Sequence, residues 1–318
     1  MWHDLAGHAP DAIGSVNAPQ AGSRVAEVLP VVCTRMSTPE ELQAQADAIQ
    51  WFHSIDLGPG VRTKGLSSVQ LAAERFPDFS GKSVLDIGAW DGYYSFLAER
   101  GGAARVVALD HYAWGVDIVA RGAYWNECFE TGTLPDQSRD LTDFWRPDLP
   151  GRRGFEFAKS VIGSAVEPVV ADFSTADLST LGTFEVVLYL GVLYHMKEPL
   201  TCLERLRSVT TEVAVIETLA LAMHGYEDRS LLELYAGGEM GTDFGNWYAP
   251  NMTGLHNLCR AAGFSRIVTV VGAPDPPAPA PLSLRSNVGR RVRGALGRSA
   301  PAPLPVPGHY RALVHAYV

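Results

Sequence analysis

The run Val84-Leu85-Asp86-Ile87-Gly88-Ala89-Trp90-Asp91-Gly92, followed by Val106-Val107-Ala108-Leu109-Asp110, restricts the fold more than any other part of the chain. It reads as an apolar strand, a glycine turn, the start of a helix, and a second apolar strand that ends in an acid. Continuous apolar strands belong to a sheet covered on both faces. A glycine turn between strand and helix is the layout of a nucleotide-type ligand site in an open α/β sheet.

The rest of the chain keeps that alternation. Strands are predicted at 83–87, 106–109, 169–171, 184–190, 213–217, 267–271 and 312–317. Helices are predicted from Ser37 to about Trp51, from Ser67 to Phe76, and over 93–100, 199–209 and 253–262. Ser37-Thr38-Pro39-Glu40-Glu41 carries a capping residue, a first-turn proline and acids. Strands alternating with helices imply a mostly parallel sheet with helices on both faces.

Four regions follow. Residues 1–80 form a helical arm and lid, and 81–272 form the core. Residues 273–308 form a Pro- and Arg-rich linker, with Arg285, Arg290, Arg291, Arg293 and Arg298, and 309–318 form a final core strand. The stretch 111–166 is long for one crossover and rich in aromatic residues, including Trp114, Tyr124, Trp125, Phe144 and Trp145.

Composition narrows the function. With 318 residues, 47% hydrophobic and 19% charged, the chain can bury a large core. A formal net charge of -9 argues against nucleic acid as the main partner. Cys33, Cys128, Cys202 and Cys259 are widely spaced, as expected of thiols in a reducing compartment. No signal peptide or membrane span is visible, so the expected location is the cytoplasm. The sequence leaves open a homo-oligomer.

Asp86-x-Gly88-x-x-x-Gly92 is not a full dinucleotide fingerprint. Trp90 stands where a middle glycine would admit a pyrophosphate. That disfavours NAD and suits a ligand without a diphosphate, such as S-adenosylmethionine. Ala89, Trp90 and His111 flank the turn. Asp110 follows Gly88 at the interval of a ribose-binding acid, and a carboxylate can accept from both ribose hydroxyls. A helix cap is the other role open to it. Asp172-Phe173 could hold adenine, with a helix cap again the alternative. Leu190 closes the fourth strand.

Gly191-Val192-Leu193-Tyr194-His195, Pro199-Leu200, Ile216-Glu217-Thr218-Leu219 and Trp247-Tyr248-Ala249-Pro250-Asn251 resemble one family. It is the class I S-adenosylmethionine-dependent methyltransferases related to the tRNA wobble-uridine carboxymethyltransferase. Trp51-Phe52-His53-Ser54-Ile55-Asp56-Leu57 is similar too, and the resemblance covers about residues 50–272. It implies a Rossmann-like α/β fold, a seven-stranded mostly parallel sheet with an antiparallel last strand. It carries Asp86, Gly88 and Gly92 over as cofactor-loop residues, Asp110 as the ribose acid and Tyr194 as a neighbour of the sulfonium.

The chain also departs from that relative, which reads a carboxylate on its cofactor through basic and aromatic side chains shortly before the glycine turn. Ser67, Ser68 and Val69 stand in that region here, with Arg62 and Lys64 nearby. A buried carboxylate without donors is costly. The sequence therefore favours plain methyl transfer to a small molecule. The alternatives are tRNA carboxymethylation with carboxy-S-adenosylmethionine, or an adenosyl-ligand binding module without catalysis.

Methyl transfer is in-line displacement and depends on positioning, with a base where the nucleophile carries a proton. The candidates for that chemistry are Tyr194, His195, Glu217 and His53. Trp51, Trp125, Trp247 and Tyr248 are candidates for contact with the acceptor, which their rings suggest is hydrophobic, aromatic or isoprenoid-like. His224, Glu227, Asp228 and Glu233 match no standard metal spacing.

Overall fold

A computed structural model describes residues 37–67, 70–240, 243–275 and 308–318. The arm before Ser37, Ser68, Val69, Cys33 and the arginine-rich stretch around 285–298 lie outside the described residues. Seven strands form one sheet: β1 (Ser83–Ile87), β2 (Arg105–Asp110), β3 (Glu167–Val170), β4 (Phe184–Leu190), β5 (Thr210–Ala222), β6 (Arg266–Val271) and β7 (Gly308–Tyr317). Their spatial order is β6-β7-β5-β4-β1-β2-β3. All neighbours are parallel except β7, which runs antiparallel to both β5 and β6. This is the Rossmann-like arrangement, and its strand order reverses between β1 and β4. Ligands in open α/β sheets bind outside the carboxyl ends of strands at such a reversal.

Side chains along a strand point alternately to the two faces, and the two cores divide accordingly. Leu85, Ile87, Val187, Tyr189 and Ile216 pack with the helices Pro199–Val209 and Met252–Ala261. Val84, Val186, Leu188 and Val215 pack on the other face with Phe96, Trp114, Phe155 and Trp51. The insert between β2 and β3 holds the helices Tyr112–Gly115, Ile118–Thr131, Arg139–Thr142 and Arg153–Ile162. Its Trp114 and Phe155 are fully buried, which anchors it to the sheet. No helix among the described residues is long and apolar enough to cross a membrane.

Two predicted helices are corrected. The first starts as expected, with Pro39 in its first turn and Thr38 and Glu41 in a reciprocal cap, but ends at Asp47. Trp51 instead turns back, and its Nε1 donates to the Ala46 carbonyl at 2.8 Å. The second expected helix, Ser67–Phe76, is a single 3₁₀ turn over Ala73–Arg75. The amides of Leu66 and Ser67 donate to Trp51 and Phe52, and that of Leu71 to the Tyr94 hydroxyl. The Leu71 amide, which a helix would bond to the Ser67 carbonyl, is thus taken by a tertiary partner.

Candidate active site

The glycine loop leaves β1 at Gly88, exposed and left-handed at φ +77°. Gly92 opens the next helix at φ +84°, and a β-carbon there would lie 2.6 Å from Phe155. Trp90 is also left-handed, at φ +46°, a conformation disfavoured for a bulky L residue. Three contacts hold it. Its amide donates to Asp110 Oδ2 at 2.9 Å, its carbonyl accepts from Trp114 Nε1 at 2.6 Å, and its ring stacks on Phe52 at 4.2 Å.

Asp110 ends β2, is 4% exposed, and accepts from the amides of Trp90 and Ala113. It therefore caps the short helix that follows and ties that helix to the loop. Asp86, 3% exposed, accepts from Ser95 Oγ at 2.6 Å. Burial pushes both carboxyls up to about 6, opposed at Asp86 by Ser95 and at Asp110 by backbone amides. The folded state thus holds these protons more tightly than the unfolded chain. Their stabilising contribution is full below the ordinary value of 3.8 and is lost as pH rises through about 6. Urea denaturation of Asp86→Asn between about pH 4 and 7 should show a shallower loss of stability than the parent. An identical slope would refute a buried ionisable carboxyl at this position.

Four expected side chains lie elsewhere than the sequence suggested. His53 is 7% exposed, with Nδ1 2.6 Å from Asp91 Oδ1. Asp91 Oδ2 also accepts from the amides of Phe52 and His53, so the pair latches the 51–54 segment to the glycine loop instead of contacting substrate. Trp51 is 1% exposed and packs on Phe157 in the core. Phe173 is 5% exposed and lies against Tyr189 beneath the sheet edge instead of over an adenine. Tyr248 is 3% exposed, and its burial near Cys202 removes it from an acceptor surface.

Glu217 is corrected as well. Both its oxygens accept from the Arg311 guanidinium, which commits the side chain to an ion pair within the fold. Arg311 stands opposite Leu219 in the β5–β7 pairing, on the same face as Glu217. Its guanidinium also lies 4.8 Å from the Tyr194 ring centre. Sequence reasoning missed Arg311. Its sequence signal is an arginine immediately before the predicted strand 312–317.

Asp172 Oδ1 accepts from the Ser174 amide and hydroxyl, closing a turn after β3. His111 stacks on Trp145 at 4.4 Å. Ala89 is buried and Leu190 half-buried at the carboxyl ends of β1 and β4. Tyr194 and His195 follow β4 directly, their rings 4.1 Å apart. His195 Nδ1 lies 2.8 Å from the Gly245 carbonyl. A carbonyl only accepts, so Nδ1 carries the proton and Nε2 is the basic nitrogen. Burial lowers the His195 pKa below 6.5 against the pull of that carbonyl, and the ring is neutral at pH 7. The Trp247 amide donates to the Tyr194 carbonyl at 2.9 Å. Trp125, 5% exposed, packs on Phe244 beside the same loop.

The methyltransferase domain family matches residues 64–269. The tRNA U34 carboxymethyltransferases of Pseudomonas putida (strain W619) and Ectopseudomonas mendocina (strain ymp) are 25% and 24% identical over 191 residues, 60% of this chain. The matched part spans about half the length of those relatives, 48% and 47%. The crystal structure of the N-terminal domain of EvdMO1 with SAH bound superposes with a TM-score of 0.53 at 18% identity. That match covers 89% of this chain and 98% of the other.

Proposed function

Because this chain belongs to the methyltransferase domain family, whose methyl donor is S-adenosylmethionine, we propose that it methylates a small-molecule acceptor with His195 as the base. The observation that carries the role of His195 is its fixed tautomer beside Tyr194, at the end of β4 where the strand order reverses. The residues fit the donor. Gly88 is exposed and left-handed, so backbone can approach a ligand there. The Trp90 indole is turned onto Phe52, and the loop lacks the glycine that a diphosphate needs. Asp110 would take the ribose hydroxyls on its remaining lone pairs, and Asp172 the adenine edge.

When bound, the donor supplies an electrophilic methyl group on a sulfonium. Tyr194 and the Arg311–Glu217 pair would form the wall at that point, and the half-buried Trp247 would offer a ring face to the acceptor. His195 Nε2 takes the acceptor's proton, and the Gly245 carbonyl stabilises the charge that develops on the ring.

Arg311 favours a second reading. A cation beside Tyr194 could read a carboxylate on a modified donor, as carboxymethyl transfer to tRNA requires. Its charge is already matched by Glu217, and Lys64 is exposed and paired with Asp47 at 3.1 Å; both contacts support the plain methyl donor. Calorimetric titration with S-adenosylmethionine and with carboxy-S-adenosylmethionine separates the two. Micromolar binding of the first, and tighter than of the second, is expected; the reverse preference, or retention of added tRNA, would establish the second reading. Failure of every acceptor to yield S-adenosylhomocysteine would leave only a binding module.

A further inference from the structure

We infer that the acceptor is a neutral polyhydroxylated ring, a sugar or cyclitol moiety, held between the insert and the 243–247 loop. This deepens the methyl-transfer reading and rests on it. Four polar atoms there are buried without a partner among the described residues: Arg121 Nε, Trp125 Nε1, Asp140 Oδ1 and Asn246 Oδ1. A buried polar atom left unmatched is destabilising. Trp125 is 5% and Asp140 8% exposed.

Three of these groups adjoin one another, and Asn246 follows Gly245 in the loop beside them. The Arg121 guanidinium lies 4.1 Å from the Trp125 ring and 4.7 Å from the Tyr112 ring. Its Nη1 is 3.8 Å from Asp140 Oδ2, which also accepts from the Tyr112 hydroxyl. At the other end, a β-carbon on Gly245 would sit 3.3 Å from Trp125 and 3.4 Å from His195 Nδ1. The cluster therefore runs from the insert to the base. Gln137 Nε2 donates to the Phe244 carbonyl at 3.1 Å, pinning the loop over it. Opening that contact would admit a ligand, as covering loops do in other enzymes.

The chemistry of the four atoms selects the class. Two are donors and two are acceptors. A hydroxyl both donates and accepts, so a ring carrying several can satisfy all four. The local charges cancel, since Arg121 and Lys197 face Asp140 and Asp243. With those charges balanced, no net field there attracts an acid or an ammonium over a neutral ligand. An isoprenoid chain would leave all four atoms unmatched. The half-buried Trp247 ring suits the apolar C–H face of a sugar. In the reaction the acceptor oxygen bonds to the methyl carbon, the carbon–sulfur bond breaks with its electron pair left on sulfur, and the hydroxyl proton goes to His195 Nε2.

The test presents the full chain and S-adenosylmethionine with methyl glycosides of neutral hexoses and with myo-inositol. A uronic acid, an amino sugar and farnesol are run in parallel, reading S-adenosylhomocysteine and saturation-transfer NMR. Turnover or saturation transfer confined to the neutral polyols is expected. Asp140→Asn, which keeps the shape and replaces one acceptor with a donor, and Trp125→Phe, which removes the indole donor, should each raise KM about tenfold with the donor affinity unchanged. Turnover of farnesol or a charged sugar in preference, no signal from any neutral polyol, or an unchanged KM in both variants would overturn the inference. Absence of S-adenosylmethionine binding would instead overturn the methyl-transfer reading beneath it.

Discussion

His195→Asn is expected to lower kcat by about 10²–10⁴-fold while leaving the affinity for S-adenosylmethionine unchanged. Asparagine can still donate to the Gly245 carbonyl, which the native ring meets at 2.8 Å, so the loop keeps its anchor. What disappears is the basic nitrogen. The pH profile separates this from a packing defect. Burial holds the native His195 below 6.5, so the ring is neutral and active at pH 7 and gains its proton only in more acidic solution. Native kcat/KM should therefore be level around neutrality and fall on acidification, with an inflection below 6.5. The residual activity of the variant should lack that inflection. A variant with near-native kcat, or with the same acid limb, would remove His195 from the chemistry.

Asp110→Ala is expected to weaken S-adenosylmethionine binding at least tenfold, a loss of about 1.4 kcal/mol or more. The structure adds a second consequence. The same carboxylate caps the helix after β2 and holds the amide of left-handed Trp90. Losing a cap costs about 1 kcal/mol, so the melting temperature should fall as well. Trp90→Gly provides the control. Glycine adopts φ +46° without strain but loses the stack on Phe52, which perturbs the loop while sparing the acid. If Asp110 grips the ribose, Asp110→Ala should lose far more affinity than Trp90→Gly. Equal losses in the two variants would reduce Asp110 to a structural tie.

The sheet was legible because its signal is local. The apolar runs at 83–87 and 184–190 match β1 and β4, since a strand buried on both faces is mostly apolar along its length. The antiparallel last strand came from the resemblance, and the pairing of β7 with β5 and β6 bears it out. The expected helix over 67–76 failed for the opposite reason. Its composition permits a helix, but the Tyr94 hydroxyl claims the Leu71 amide and the Phe52 carbonyl ties down Ser67 at its start. Local propensity yields when tertiary partners offer the backbone equivalent hydrogen bonds. His53 and Trp51 were sought at the acceptor for a similar reason. Their residue types suit a ligand, and only packing shows that Asp91 and the core occupy them.

The sequence by itself determined the order of the sheet strands, the glycine loop at 88–92 and the placing of Tyr194 and His195 after a strand, because each is written in consecutive residues. Only the tertiary structure decided which groups meet there. Arg311 finds Glu217 across 94 positions, His195 finds Gly245 across 50, and His53 finds Asp91 across 38. Such partners leave no periodic trace in a single chain. They are selected by the desolvation of polar groups as the sheet closes, when any charge or donor left unmatched costs more than the contact that satisfies it.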